Sequence, residues 1–313
     1  MSIIKPNKFI DASLISSELD SAMLAATREI KRTWNITPKV VEVAYYHHHG
    51  FGELFDPYVN EVSAYARSIG VEYEVVKIEK PWGEGLAGRL SELSRDPSVH
   101  GIRARGWHLH RGEEDYVYNE LAPHKDIECK THQRNYEHLQ GHAPGFIRPE
   151  LGAIRRILRR TLPIRLDAAT IALPIGEHSF NWMLPLAPIL GSLSANVVMI
   201  RRLDAQALEC LGRADAIITS FGKHGYLDHK CVREGQIVID LERWEEERGP
   251  YFKAYGEERG DANVDAIRAI VAAIAERSGI FLIAKRQIFL NLLYQFLLGR
   301  GDDGLRIDKL LRA

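Results

Sequence analysis

The segment KVVEVAYY, residues 39–46, decides the predicted fold of the N-terminal half. Its β-branched and aromatic side chains are typical of a strand. An amphipathic helix pattern precedes it at residues 11–34. Helical and strand-like segments then alternate, at 57–69, 71–78, 84–94 and 99–107. Strands that alternate with helices pair in parallel through right-handed crossovers, so the pattern predicts a mostly parallel α/β sheet.

A second alternating run follows Pro144-Gly145, a pair that marks a change of structural unit. Its predicted strands lie at 170–173, 197–200, 216–219 and 237–240, and its predicted helices at 149–160, 183–192, 205–213, 263–277 and 285–299. This is the pattern of a doubly wound, Rossmann-like unit. We therefore predict an α/β fold with two domains around a cleft. The first domain covers residues 1–148 and the second covers 149–283.

Composition and charge favour an ordinary globular protein of 313 residues, because 45% of them are hydrophobic and 27% charged. The formal net charge of −1 gives no overall field to attract nucleic acid or an anionic membrane. The three cysteines lack paired spacing, which fits a reducing compartment. The N-terminus carries no signal-peptide pattern. We expect a cytoplasmic protein with a small-molecule ligand, and a final apolar segment at 280–298 that is buried or faces a second subunit.

Two polar segments follow predicted strands, namely DPYVNEV at residues 56–62 and PHKDIE at 123–128. Both resemble the active site of the bifunctional methylenetetrahydrofolate dehydrogenase/methenyltetrahydrofolate cyclohydrolase family. Further segments are similar to motifs of that family and occur in the same order, namely Gly101-Ile102, 214–218, 220–223 and 235–240. The resemblance covers nearly the whole chain. Its specificity lies in the order and spacing of these motifs.

The resemblance implies a folate-type first domain that is completed by a C-terminal helix, residues 284–313, packing back on it. It also implies a tetrahydrofolate derivative as substrate or ligand, NADP as a possible cofactor, and a homodimer. Tyr58 would be a catalytic and substrate-binding residue. The other implied substrate-binding residues are Arg105, Trp107, Asp126 and Glu128. A carboxylate at 128 can take two hydrogen bonds from an aminopyrimidine edge, although a loop salt bridge or cap is equally compatible with both acidic residues.

The chain departs from the family at positions that carry chemistry. The family has its catalytic Lys four residues after the Tyr, and this chain has Val62 there. Arg105 stands where the family has an active-site Gln, and residues 278–284 replace a glycine-rich loop directly before the last helix. Valine can neither polarise a one-carbon unit nor move a proton. We therefore expect the usual dehydrogenase/cyclohydrolase pair of activities to be weak or absent.

The predicted nucleotide site also departs from the family pattern. The segment GEHSFNWMLP, residues 176–185, is similar to the phosphate-binding motif, with Ser179 matching. The bulky Trp182-Met183 pair stands where small residues let a backbone approach a pyrophosphate. Arg201 and Arg202 at the next strand end suit a 2′-phosphate, or are solvated charges. We therefore expect Ser179, Arg201 and Arg202 to be the cofactor-binding residues for an NADP that binds poorly.

Histidines follow the first and third predicted strands, at positions 47–49, 108 and 110. In open α/β sheets the carboxyl ends of the strands line the ligand crevice. The histidines suit zinc or iron, an acid/base role for His49 and His108 in place of the missing amine, or a polar cleft lined by neutral side chains. No ligand spacing of a known metal motif is present, so no metal site is predicted.

Three functional classes fit these features. The first is a specialised folate-dependent or pterin-type one-carbon enzyme, and the second is a catalytically silent ligand-binding relative. The third is a metal-dependent enzyme that uses the histidines on the same scaffold. We favour the first, because a tyrosine, an acidic clamp and several histidines are more than a decayed site needs to keep.

Overall fold

The computed structural model describes residues 3–45, 52–78, 82–105, 117–140, 146–162, 165–242 and 260–301. The helices are α1 (Ala12–Trp34), α2 (Gly52–Ser68), α3 (Trp82–Arg95), α4 (His132–Leu139), α5 (Pro149–Thr161), α6 (Phe180–Met183), α7 (Leu186–Gly191), α8 (Ala205–Arg213), α9 (Val264–Ile267) and α10 (Arg277–Gly299). The strands are β1 (Lys39–Tyr45), β2 (Glu72–Ile78), β3 (Gly101–Arg105), β4 (Thr170–Pro174), β5 (Asn196–Ile200), β6 (Ala216–Thr219), β7 (Ile237–Asp240) and β8 (Ala273–Ala275). The predicted α/β fold class is confirmed.

The first sheet has three parallel strands in the order β2-β1-β3. Its central strand, β1, is covered on both faces, which explains its nearly continuous apolar sequence. On one face Val41 and Val43 pack against Leu86 and Leu90 of α3. The opposite face carries Glu42, a buried charged residue between the apolar residues Val41 and Val43. The predicted parallel pairing is confirmed.

The second sheet has five parallel strands in the order β5-β4-β6-β7-β8. The chain winds outward in both directions from β4, so the predicted doubly wound topology is confirmed. In such a sheet the ligand crevice lies outside the carboxyl ends of the strands where the winding direction reverses. Here that point is between β4 and β6.

The described chain groups into two compact units. The first unit contains the first sheet and comprises Ser17–Glu137, Ala143–Pro149 and Lys285–Ala313. The second unit comprises Met1–Ser16, His138–His142 and Glu150–Ala284. Ile10 N donates to Ile274 O at 2.8 Å, which ties the N-terminal residues to β8 rather than to the domain that we assigned them to. The predicted domain boundaries otherwise stay a prediction.

The end of the second unit differs from the sequence-based prediction. Residues 263–277, predicted as one helix, form the short α9 and then strand β8. All three β8 residues are buried, and a short run that is apolar on every side carries no period that separates a strand from a helix. The last helix begins at Arg277, so residues 278–284 are helical and do not form a loop before it.

Two smaller differences concern prolines. α2 begins at Gly52, five residues before Pro57, the start of the helix predicted at 57–69. The predicted helix at 183–192 is divided into α6 and α7, with Pro185 directly before α7. Proline lacks the N–H that a continuous helix would use at this position.

α10 is confirmed as a largely buried helix. By length and composition it is apolar enough to cross a membrane, but 67% of its most apolar window is buried inside the protein. Within the first unit, Asn291 Nδ2 donates to Ile127 O at 2.9 Å and to Ile147 O at 2.8 Å. The predicted return of the last helix to the first-sheet unit is therefore confirmed.

Candidate functional site

Helix α2 carries the position where the resemblance places a catalytic amine. Val62 lies one turn after Tyr58 and its side chain is fully buried. The next turn is fixed by Tyr65, whose hydroxyl donates to Asp20 at 2.6 Å while the Arg286 guanidinium stacks on its ring at 4.5 Å. The structure describes the backbone of Tyr58 but not its side chain. At position 62, α2 therefore presents an apolar core residue.

A buried polar cluster lies on the face of the first sheet opposite α3. Arg103 Nη1 in β3 donates to Glu42 Oε2 in β1 and to the Tyr73 hydroxyl in β2, both at 2.8 Å. The Tyr73 hydroxyl also donates to Glu42. Arg103 and Glu42 are 1% and 0% exposed. Sequence reasoning missed this cluster, although one charged residue inside each of two apolar strands was its signal.

Glu128, the predicted clamp on an aminopyrimidine edge, is joined to this cluster. Its Oε1 accepts from Arg103 Nη2 at 2.9 Å and from Arg103 Nε at 3.2 Å. Its Oε2 lies 3.0 Å from the Lys130 ammonium. The carboxylate is therefore paired with two cations, which agrees with the salt-bridge alternative. The Lys130 contact was not foreseen from the sequence.

Asp126 and Lys125 hold the segment in place beside β3. Asp126 Oδ2 accepts from Thr131 N at 2.7 Å, and residue 126 bridges Ile102 of β3. Asp126 Oδ1 is buried with no hydrogen-bond partner among the described residues. Burial raises the pKa of this carboxyl above its usual range. Lys125 caps the end of α3 by donating to Leu93 O at 3.0 Å.

Five predicted site residues lie outside the described residues, namely His47, His49, Trp107, His108 and His110. Arg105 is the last residue of β3, at the carboxyl end where a ligand crevice is expected, but its side chain is not described. Within the described ranges, no three His, Cys, Asp or Glu side chains come together as metal ligands.

Side chains of the second unit fill the point between β4 and β6 where the winding direction reverses. The Oγ atoms of Ser179 and Ser220 are 2.5 Å apart, and the Ser220 hydroxyl also donates to Glu242. His178 Nε2 lies 2.8 Å from the same Glu242 oxygen. The two loops also touch, because a Cβ on Gly176 would lie 2.1 Å from Phe221 O. Ser179 is thus a buried structural contact in this crevice.

A second carboxylate, Asp261, occupies the loop after β6. It accepts from the backbone N–H groups of Phe221 at 2.6 Å, Gly222 at 3.1 Å and Lys223 at 2.8 Å. Successive N–H groups that converge in this way form an anion-binding concavity. Here the protein's own carboxylate is the anion, and a phosphate would have to displace it. Sequence reasoning missed both Asp261 and Glu242.

The two arginines at the end of β5 differ in their surroundings. Arg201 Nη1 donates to Ile175 O at 2.7 Å and to Gly176 O at 3.0 Å, and its guanidinium lies 4.4 Å from the Phe180 ring centroid. Both arginines are exposed. Arg201 supports the loop after β4 through these contacts while it also faces solvent.

No protein-family model matches the chain. It is similar in sequence to the bifunctional protein FolD of Staphylococcus aureus (strain Newman), with 24% identity over 273 residues that cover 87% of this chain and 90% of the relative. The corresponding protein of Macrococcus caseolyticus is 24% identical over 237 residues, covering 75% and 81% of the two chains.

The fold is also similar to that of solved structures. One is the bifunctional FolD methylenetetrahydrofolate dehydrogenase/cyclohydrolase of Campylobacter jejuni, with a TM-score of 0.76, 18% identity and coverage of 91% and 96%. Another is the Trypanosoma brucei methylenetetrahydrofolate dehydrogenase-cyclohydrolase in complex with NADP and an inhibitor, with a TM-score of 0.79, 16% identity and coverage of 93% and 98%. The chain is thus similar over most of its length to bifunctional FolD proteins, and its α/β fold is similar to that of solved methylenetetrahydrofolate dehydrogenase/cyclohydrolases.

Proposed function

We propose that this protein is a specialised folate-dependent or pterin-type one-carbon enzyme that does not run the usual dehydrogenase/cyclohydrolase pair. The observation that carries the proposal is Val62, a fully buried apolar side chain where the family has its catalytic amine. General acid–base assistance contributes roughly 10²–10⁴-fold to a rate, so its loss alone would cripple the usual turnover.

The crevice of the second unit supports a weakened role for NADP. The Trypanosoma brucei relative was solved with NADP, which makes NADP a possible cofactor here. In this chain Glu242 accepts hydrogen bonds from Ser179 and Ser220 at the point where the winding direction reverses, and Asp261 accepts from the adjacent backbone N–H groups. Both negatively charged carboxylates would repel a phosphate. Of the predicted cofactor residues, Arg201 and Arg202 are exposed and could meet a 2′-phosphate, although Arg201 already donates to the carbonyl oxygens of Ile175 and Gly176.

We assign the substrate site to the carboxyl ends of the strands in the first sheet. Tyr58, Arg105 and Trp107 would contact a reduced folate or pterin-like ligand, with Glu128 on its polar edge. His49 and His108 would supply the acid/base function that Val62 cannot. These roles rest on the resemblance and on the positions of the strand ends.

A catalytically silent ligand-binding relative is the second candidate. It is favoured by the same filled crevice, since a folate that is bound without a nicotinamide partner has no acceptor for its hydride. The two candidates share the ligand and differ in turnover.

A rate assay with methylenetetrahydrofolate and NADP tests the proposal. We expect turnover at least 100-fold below the median enzyme rate of about 10 s⁻¹. Turnover at ordinary rates would overturn it. Parallel incubation of the protein with reduced one-carbon folates, followed by mass spectrometry, separates the candidates, because the enzyme converts one of them and the silent relative returns all unchanged.

A further inference from the structure

A cavity of about 700 Å³ opens to solvent where β1 and β2 of the first sheet begin. One wall is a single face of α1, with lining residues in the i, i+3, i+4, i+7 pattern, namely Leu24, Thr27, Arg28 and Lys31. The end of α2 and the start of β2 contribute Arg67, Gly70 and Tyr73 to the other walls. The proposed substrate site lies at the opposite, carboxyl ends of the same strands, so this cavity is a separate site.

Hydrogen bonds hold the walls of the cavity in place. Thr27 Oγ1 donates to Ile69 O at 2.7 Å, which ties α1 to the residues that follow α2. Gly70 has a φ of +76°, and a Cβ there would lie 2.9 Å from Thr27 Oγ1, so this close contact requires glycine. The Tyr73 hydroxyl accepts from Arg103 Nη1 at 2.8 Å, which fixes the tyrosine ring. A cavity with walls held in this way needs little reordering to take a ligand.

Basic side chains outnumber acidic ones around the cavity, with Arg28, Lys31, Lys39 and Arg67 against Glu72 and Glu74. Both carboxylates act on Lys39. Its Nζ lies 2.6 Å from Glu74 Oε2, and the hydrogen bond to Glu74 and the charge of Glu72 raise the pKa of Lys39. The other three basic side chains are exposed and form no ion pair with a carboxylate in the part of the chain that the structure describes. Cations grouped without a counter-ion attract an anionic ligand.

Helix ends account for only part of this charge. Lys31 and Arg67 lie in the last turns of α1 and α2, where the carbonyl end of a helix stabilises a cation. Arg28 lies one turn before the end of α1, and the effect falls off within the last turn. Arg28 is therefore the cation that most directly indicates a ligand.

We propose that this cavity binds the phosphate chain of a small molecule through Arg28, Lys31 and Arg67. A guanidinium can donate to two phosphate oxygens at once, so two arginines and a lysine suit a ligand with several phosphate oxygens better than a monovalent anion. The volume is within the usual range of small-molecule sites, roughly 300–1,000 Å³. The site does not depend on the proposed folate function.

Calorimetric titration of the full-length protein with tripolyphosphate, without divalent cations, tests the phosphate chain alone. We expect a dissociation constant below about 1 mM at low salt, which rises with salt because exposed charges are screened. Arg28→Gln should weaken binding about threefold and Arg28→Gln/Lys31→Gln about tenfold, since each exposed charge contact contributes modestly. Gln is a good helix former, so both variants should keep α1 intact.

ATP carries the same phosphate chain on a nucleoside. Tighter binding of ATP than of tripolyphosphate would assign the ligand to phosphorylated metabolites with a ring, and equal binding would assign it to the phosphate chain alone. Both results support the site if Arg28→Gln weakens the binding of each probe.

Arg32→Gln is the matched control. Arg32 follows Lys31 on α1 but does not line the cavity, and its Nη2 donates to Glu29 Oε1 at 2.7 Å. This variant should bind both probes like the wild type. No heat from tripolyphosphate at up to about 5 mM, or an equal loss of affinity in Arg32→Gln and Arg28→Gln, would overturn the site. A lower unfolding temperature of Arg28→Gln with unchanged affinity would also overturn it, because Arg28 would then serve the fold alone.

Discussion

Arg103 and Glu42 form an ion pair inside the first sheet, with 2.8 Å between Nη1 and Oε2 and with side chains that are 1% and 0% exposed. The register of β1 and β3 places the two residues directly opposite each other. Because Arg103 also contacts Glu128, the same guanidinium connects the core of the sheet to the candidate ligand site. A change at the buried pair should therefore affect stability as well as the site.

Arg103→Met should destabilise the protein by about 3–5 kcal/mol, because it leaves Glu42 charged and buried without its cation. Urea denaturation at neutral pH measures the free energy of unfolding. The double variant Arg103→Met/Glu42→Met is the matched control and should recover most of the loss, since both charges are then absent. A double variant no more stable than Arg103→Met would contradict this account of the pair.

Asn291→Leu should cost roughly 2–5 kcal/mol. The side chain of Asn291 is fully buried and satisfies the carbonyl oxygens of Ile127 and Ile147, which Leu would leave unpaired. Leu298→Ala on the same helix removes an exposed side chain and should change stability by about 0.5 kcal/mol or less. Similar thermal unfolding of both variants would show that Asn291 does not anchor α10.

Asp240 predicts a pH dependence of stability. Burial raises its pKa from the ordinary value of 3.8 to about 7. The folded protein therefore holds a proton that the unfolded chain releases, so this stabilisation is complete below the unfolded-state pKa and is lost as the pH rises to about 7. Asp261, whose own pKa is also raised by burial, adds to the same trend.

The side chain at position 240 in the Asp240→Asn variant stays neutral at every pH. Its advantage in the free energy of unfolding over the wild type should thus grow from about pH 4 to pH 7, reach a few kcal/mol, and level off above pH 7. The exposed Asp265→Asn variant is the control and should show no such growth. An advantage that shrinks with rising pH would contradict the raised pKa.

We propose that the protein is a homodimer. The apolar content of the closing segments motivated this prediction, and Leu208, Phe281 and Leu298 are among the large hydrophobic side chains that remain exposed, at 39%, 41% and 51%. A symmetric pair is the default closed arrangement of soluble oligomers. Light scattering after size exclusion at low micromolar concentration should give twice the chain mass. A single species near 35.5 kDa would refute the dimer.

Most of the sheet elements could be predicted, because β1, β2, β5, β6 and β7 are rich in β-branched residues. β8 could not, since its three buried residues are too few to show a period. The candidate site was less predictable. Glu42 and Arg103 are far apart in sequence, and only the register between β1 and β3 brings them together as an ion pair. Asp261 is likewise 40 residues from the Phe221 N–H that it accepts from.

The central claim is that the protein binds a reduced folate while its nucleotide crevice is occupied by its own side chains. Calorimetric titration of one preparation with 5-formyltetrahydrofolate and then with NADP tests it most directly. The account predicts saturable binding of the folate with a dissociation constant of about 10 μM or lower, and binding of NADP at least about 100-fold weaker. Tight NADP binding with no heat from the folate would contradict it.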